Sequence, residues 1–334
     1  MTTLTQPVEV SGGRRWLKRN GWTAAVWLLL ILAILWYTRL IPAFGSFQMS
    51  SIAKNSLPTA YLAASQAVII ISGGIDLGVG ALMVLSNAVS ASLMEGQGFA
   101  MTLVIGISVV VAGALLNGLV GWIISASRVP DIVVTLATLF IFAGLALMVL
   151  PSPGGGTSEG FRLLFTGSRS GVGTNYLASM AALGVPVAAV AIWMSRSRTG
   201  LSLRASGSDP RAAYLSGLSN KKAKILSYAL GGALAALAGL AVTAITNNGD
   251  ARLSNATVGT LNSVAAAVLG GIALTGGVGS VLGAIAAGVV LFVLSPILTA
   301  MGIDPNTAQV IQGALIVVVM MVAGVLEVRR RRTE

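Results

Sequence analysis

At 334 residues, with 55% hydrophobic and only 9% charged side chains, the chain carries far less charge than the roughly 25% of an average soluble domain, which excludes an ordinary water-soluble fold. It has no cysteine and no histidine, so a disulfide framework, a thiolate metal site and the commonest zinc and acid–base ligands are excluded as well. The net charge of +11 points to nucleic acid only if it forms a stripe on a water-facing surface, so the positions of the charges decide what it means.

Arg14, Arg15, Lys18 and Arg19 precede an apolar run from Gly21 to Tyr37. That run is too long for a signal-peptide core and lacks a clear small-residue cleavage site, so it reads as a first membrane span after a cytoplasmic segment, 1–20. A transmembrane helix needs about 20 mostly apolar residues. Ten runs fit: 21–39, 55–73, 77–94, 99–124, 130–150, 173–195, 223–246, 257–273, 279–300 and 306–327. The second, third and eighth fit least well. The expected fold is therefore all-α, a polytopic membrane protein of about ten transmembrane helices with a broken helix near Gly73–Gly80. It comprises a transmembrane domain at 21–327 and a basic cytoplasmic tail at 328–334.

An even number of spans puts both termini on one side. That side holds Arg14, Arg15, Lys18, Arg19, Arg128, Arg196, Arg198, Arg204, Arg211, Lys221, Lys222, Lys224 and Arg329 through Arg332, which is 16 of the 21 basic residues. Only Arg39, Lys54, Arg162, Arg169 and Arg252 lie opposite. Positive loops stay in the cytoplasm, so both termini are expected there, in a bacterial inner membrane, and the +11 becomes a topology signal. The Arg329–Arg332 tail suits anionic lipid rather than nucleic acid.

On the outer side, Pro151 to Gly171 is rich in Gly, Ser and Pro and reads as an irregular loop. On the inner side, Ser195 to Lys222 is the longest connection. Within it Asp209 can N-cap, Pro210 suits the first helical position, and Gly217 can close the turn in a left-handed conformation, so a two-turn helix is expected over Pro210–Ser216. Its apolar side, Ala212, Ala213 and Leu215, is too small to hold a helix in water alone, so it needs a packing partner.

Three constellations could carry function. In Ile71–Gly80, Gly73 and Gly74 break the helix, and Asp76 is placed to cap a new one starting at Leu77 by accepting from the amides of Gly78 or Val79. A carboxylate within the membrane is by default a functional group, but here a structural cap competes with solute contact, and Gly78 and Gly80 would let neighbouring helices approach. Gly270–Gly279 repeats the flavour: Gly-Gly-Ile, a Leu two further on, then Gly-Val-Gly. Paired Gly-interrupted segments point to a transporter's internal repeat. Finally, Gln66, Asn87, Asn117, Thr135, Thr138, Asn262, Ser263 and Thr275 are polar residues within spans, either contacts for a neutral polyol or interhelical glue. Gly-x-x-x-x-Gly-Lys-Ser/Thr is absent, so the chain carries no P-loop to hydrolyse nucleotide unaided.

At Gly73-Gly74-Ile75-Asp76-Leu77, Gly200–Gly217 with Lys222 and Lys224, and Ala265–Leu282, the chain resembles the ribose/galactose-type permeases of bacterial ABC importers, within the broader branched-chain amino acid and sugar permease family. The resemblance runs from about residue 50 to the C-terminus. It implies a non-catalytic subunit without a cofactor of its own, partnered by a second permease copy, a cytoplasmic ATPase that holds ATP and Mg²⁺, and a periplasmic solute-binding protein. It also implies that 196–222 is a coupling loop whose helix docks on the ATPase through Gly207, Asp209, Pro210, Ala212, Leu215, Ser216 and Gly217. The translocation path or helix break would then involve Gly73, Gly74, Asp76, Gly78, Gly80, Asn117, Asn262 and Thr275. Two positions depart from the family pattern: Gly78 stands where Ser is common, and Thr260 opens Thr260–Ala265 where an acid is common. The rival readings are an ion-coupled secondary transporter, favoured by the broken helix and weak repeat, and a membrane scaffold.

Overall fold

The computed structural model describes residues 12–42, 44–127, 129–168 and 175–331, with the backbone alone at 12–20, 253, 319–320 and 322–331. Residues 1–11, Arg128, Arg169 and the tail from Arg332 lie outside them, as do the side chains of Arg14, Arg15, Lys18, Arg19 and Arg329 through Arg331. The described residues form helices α1 (Gly12–Leu40), α2 (Ser46–Asn55), α3 (Leu57–Ile71), α4 (Val79–Met94), α5 (Phe99–Ser127), α6 (Asp131–Val149) and α7 (Glu159–Thr166). There follow α8 (Tyr176–Arg196), α9 (Arg198–Ser208), α10 (Pro210–Leu215), α11 (Asn220–Thr246), α12 (Leu253–Leu269), α13 (Val281–Ala300) and α14 (Pro305–Arg331).

The all-helical class holds, but the expected ten spans do not. Among the described residues, six segments are long and apolar enough to cross a membrane: Gly21–Leu40 of α1, then α5, α6, α8, α11 and α13. Four expected spans drop out. The tenth lies in α14, whose side chains at 319–320 and 322–331 are outside the described residues. The second, third and eighth are α3, α4 and α12, of 15, 16 and 17 residues. At 1.5 Å per residue they reach about 22–26 Å, short of a hydrocarbon core of about 30 Å. Their apolarity has another cause. Every residue from Tyr61 to Ile71 of α3 is buried, as is every residue from Val79 to Ala88 of α4. A helix that is hydrophobic all round belongs inside protein, and these two form the core around which longer helices pack.

α11 is the central strut, packing against α3, α4 and α5. Lipid offers no hydrophobic drive for helix association, so close packing of small residues substitutes for it. A Cβ on Gly113 of α5 would lie 2.9 Å from the Gly232 carbonyl of α11, and one on Gly121 would lie 2.9 Å from the Tyr228 Cβ. On the other side of α5, Val104, Ile107 and Leu115 are exposed, as suits a lipid-facing stripe.

Both long connections hold more order than expected. The one between α6 and α8 contains α7, which is capped by Ser158, buries Phe161 and Phe165, and ends at Gly167 with φ +67. The basic one contains α9 ahead of α10. The Ser197 hydroxyl caps α9 by accepting from the Gly200 amide at 2.8 Å, and Leu203, Ser206 and Gly207 are buried.

Candidate functional site

α3 ends where Gly73 adopts φ +81. The Gly73 amide donates to the Ile70 carbonyl at 2.8 Å and the Gly74 amide to Ile69 at 3.0 Å. This is the paired closure that a left-handed glycine makes at a helix C-terminus. The same closure ends α12, but on the second glycine of its pair: Gly271 has φ +86, its amide donates to Val268 at 2.9 Å, and Ile272 donates to Ala267 at 3.0 Å. The two Gly-Gly-Ile motifs are thus out of step by one residue, and the helices that follow begin at Val79 and Val281. The motif likeness does not extend to equivalent backbone geometry.

Asp76 is fully buried. Its Oδ1 accepts from the Gly78 amide at 2.7 Å, and its Oδ2 accepts from Asn117 Nδ2 of α5 at 2.9 Å. Asn117 Nδ2 also donates to the Tyr228 carbonyl of α11 at 3.0 Å. The Gly78 amide is one of the two donors expected. The helix, however, starts at Val79 with Gly78 as its N-cap residue, so Asp76 secures the turn ahead of the helix rather than capping one that begins at Leu77. The reason is local: the carboxylate reaches only two residues along, and its second oxygen is already taken by Asn117.

Charged and hydroxyl groups surround this turn. Lys224 Nζ lies 2.6 Å from Asp131 Oδ2 and 3.4 Å from the Gly73 carbonyl. The Tyr228 hydroxyl sits 3.0 Å from the same Asp131 oxygen and 3.2 Å from the Ile75 carbonyl. Gly78 and Gly80 allow the close approach expected of them. A Cβ on Gly78 would lie 2.8 Å from Thr138 Oγ1 of α6, and one on Gly80 would collide with the Ala256 carbonyl of α12. Thr260, at the departure from the family pattern, takes a structural part: its hydroxyl accepts from the Gly80 amide and donates to the Leu77 carbonyl, both at 3.1 Å.

The basic connection meets both glycine turns. The Gly277 amide donates to the Ile71 carbonyl at 2.8 Å. Gly207, at the end of α9, fills the space beside them; a Cβ on it would strike the Ile71 carbonyl and come within 2.8 Å of the Gly277 nitrogen. Arg204 Nη1 donates to the Gly279 carbonyl at 2.9 Å. Beyond this contact α10 projects outward. Asp209 caps it, accepting from the Arg211 and Ala212 amides at 2.8 and 3.0 Å, and Gly217 closes it at φ +80. α10 spans Pro210–Leu215, with Ser216 as the C-cap. Of its expected apolar side only Ala213 is buried; Ala212 is exposed, and Leu215 is 85% exposed beside Tyr214 at 72%.

At the opposite end of α11 lies a cavity of about 470 Å³. Its polar lining includes Thr59, Asn87, Asp250, Asn255, Asn262 and Gln309. The Asp250 carboxyl lies below its ordinary pKa because the Arg252 guanidinium binds it.

The structure therefore gathers Gly73, Gly74, Asp76, Gly78, Gly80, Asn117 and Gly207 at one turn, puts Asp209, Pro210, Ala212, Leu215, Ser216 and Gly217 on the projecting helix, and sets Asn262 in the cavity. Thr275 lies in the interruption between α12 and α13, next to Gly276 and Gly277, which meet the Gly73 turn. It is exposed in the connection between α12 and α13, not buried in a span, because α12 ends at Leu269. Sequence reasoning missed the Lys224–Asp131–Tyr228 cluster, because Asp131 of α6 lies far in the chain from Lys224 and Tyr228 of α11, and missed Tyr214. The signal for Tyr214 was available, since an aromatic ring on a six-residue helix with no apolar surroundings of its own needs a partner.

A family profile described as "branched-chain amino acid transport system / permease component" matches residues 48–320. The chain belongs to this family. This permease is 29% identical to the ribose import permease protein of Bacillus subtilis over 300 residues, 88% of each chain. It is 31% identical to the ribose import permease protein of Haemophilus influenzae, over 89% of this chain and 90% of that one. It is also 29% identical to the fructose import permease protein of Rhizobium meliloti, over 84% and 78% of the two chains. No solved structure gives a significant match to it. With six apolar spans among its described residues, the permease is a multi-pass membrane protein.

Proposed function

We propose that this permease is the membrane-spanning, non-catalytic subunit of an ATP-binding cassette importer, and that it carries a small sugar or sugar-like solute delivered by a periplasmic binding protein. The observation that carries this reading is the seating of Gly207 against the Gly73 and Gly277 turns, directly ahead of a helix that presents Tyr214 and Leu215 to the exterior. A partner gripping α10 would move α9, and α9 cannot shift without moving both turns that interrupt the bundle. Such a linkage suits a machine whose energy comes from a separate ATPase holding ATP and Mg²⁺, since the chain has no phosphate loop of its own.

In this reading 196–222 is the cytoplasmic coupling loop and 21–327 the transmembrane domain, flanked by cytoplasmic ends at 1–20 and 328–334 in a bacterial inner membrane. A second permease, identical or related, completes the path, and nucleic acid has no part. The names of the relatives, ribose and fructose import permeases, favour a small neutral sugar as cargo.

The test is uptake by vesicles holding the full complex with its ATPase and binding protein. Uptake should require ATP and survive a protonophore. Uptake abolished by the protonophore and indifferent to ATP depletion would establish the ion-coupled alternative and overturn this reading.

A further inference from the structure

Most polar side chains buried among the helices are bonded to a neighbour. Asn87 donates to the Thr243 hydroxyl at 2.8 Å and to the Asn248 carbonyl at 3.1 Å, and its Oδ1 accepts from the Asp250 amide at 2.9 Å. The amide nitrogen of Asn117 serves Asp76 and Tyr228. Gln66 is different. It is fully buried on α3, and neither its Oε1 nor its Nε2 has a hydrogen-bond partner; no other buried side-chain amide among the described residues is unbonded at both ends. Buried polar groups are so regularly paired that an amide with both ends unmet calls for an explanation beyond packing.

Its position supplies one. On a helix of 3.6 residues per turn, residues 59, 62 and 66 share a face. Thr59 and Leu62 line the cavity, so Gln66 continues the same stripe one turn deeper. Across from that stripe stands α12, where Gly259 approaches Leu62 closely enough that a Cβ would lie 3.0 Å from its Cδ1. Asn262, one turn further along α12, lines the cavity with an amide that bonds to none of the described residues. The cavity, about 470 Å³, falls within the range of about 300–1,000 Å³ typical of small-molecule sites. Primary amides on facing helices offer both donors and acceptors without charge, which matches the hydroxyls of a neutral polyol.

We infer that Asn262 and Gln66 form a two-step solute-binding ladder for a neutral polyhydroxylated molecule. Asn262 is the contact available in the conformation seen here. Gln66 is the next, reached when α3 and α12 part and its amide gains the solute, or water, as partner. This rests on the permease reading above and adds the residues that touch the cargo.

The chain's lack of cysteine makes the test direct. Single variants Asn262→Cys, Gln66→Cys and, as a lipid-facing control, Leu115→Cys are made in the full complex and exposed to a membrane-impermeant methanethiosulfonate. Expected is labelling of Asn262→Cys at rest, labelling of Gln66→Cys at least 10-fold faster during ATP turnover than at rest, and none of Leu115→Cys. Gln66→Leu is then compared with the unmodified complex in initial uptake of D-ribose and D-fructose, and in thermal midpoint. Uptake should fall about 10-fold while the midpoint rises, because an unmet amide has been replaced by an apolar side chain; a merely structural residue would move both in the same direction. Gln66→Cys unlabelled in every state, or Gln66→Leu with unchanged uptake, overturns the inference. If Gln66→Leu does not assemble, the labelling alone decides. Absence of ATP-dependent uptake of either sugar by the unmodified complex overturns ribose and fructose as the cargo, and the labelling still shows whether Gln66 enters a water path.

Discussion

Gly207 and Gly73 meet backbone to backbone: a Cβ placed on Gly73 would lie 3.4 Å from the Gly207 Cα, and one placed on Gly207 would lie 3.1 Å from the Gly73 nitrogen. The contact joins the loop helix α9 to the turn that interrupts the core, with no side chain between them to flex.

Adding a side chain at that contact should harm both packing and transmission. Gly207→Val is expected to cost about 1–3 kcal/mol, the usual penalty of overpacking a well-filled site. The checks are thermal midpoint and yield of assembled complex. Gly217→Ala, at an open position with φ +80, should cost less, about 1 kcal/mol, from backbone strain alone.

α10 offers the converse case. Tyr214 and Leu215 are exposed, so Leu215→Asp should change stability by no more than about 0.5 kcal/mol. ATP-driven uptake, and co-purification of the ATPase, should nevertheless be lost. Retention of both would remove α10 from the coupling role.

Both carboxylate oxygens of Asp76 are engaged in holding a turn. Asp76→Ala leaves the buried Gly78 amide without an acceptor and removes one of the two partners of Asn117 Nδ2, a loss of about 1–3 kcal/mol for each unmet group. The amount of assembled permease should drop more than the apparent affinity for solute changes. Asp76→Asn keeps one carbonyl oxygen in place and should recover part of the loss. Normal expression with an altered solute preference would reassign Asp76 to the path.

The Lys224–Asp131 pair is mostly buried, each side chain 19% exposed. Removing one member of a fully buried pair costs roughly 3–5 kcal/mol, and partial access of water here brings the expectation for Lys224→Met to about 2 kcal/mol. The double variant Lys224→Met with Asp131→Asn should be milder than Lys224→Met alone, because no uncompensated charge remains. Additive losses in a double-mutant cycle would mean that the two residues act independently.

Much of the site could be read from residue order because its determinants are local. The helix break at Gly73, the left-handed Gly217, the Asp209 cap and the Gly78 amide as a partner of Asp76 each depend on neighbours within a few positions. Grouping Thr275 with the buried polar residues fails because it lies beyond even the expected span 257–273, and α12 stops earlier still, which leaves it exposed in the connection to α13. Gln66 was visible as a polar residue in an apolar run; that its amide is unbonded depends on what surrounds it, which no local pattern contains.

Composition and charge order alone determined that the chain is helical and lies in a membrane, because a scarcity of charge over long apolar runs leaves no other way to satisfy the backbone in lipid. Only the tertiary structure decided which apolar helices face lipid and which form the core. An apolar side chain is equally at home against hydrocarbon and against another helix, so α3 and α4 read as spans until their burial on all sides was known. The seating of Gly207 between two turns remote in sequence is of the same kind, since contact across so many residues is a property of the packed bundle and not of any segment of it.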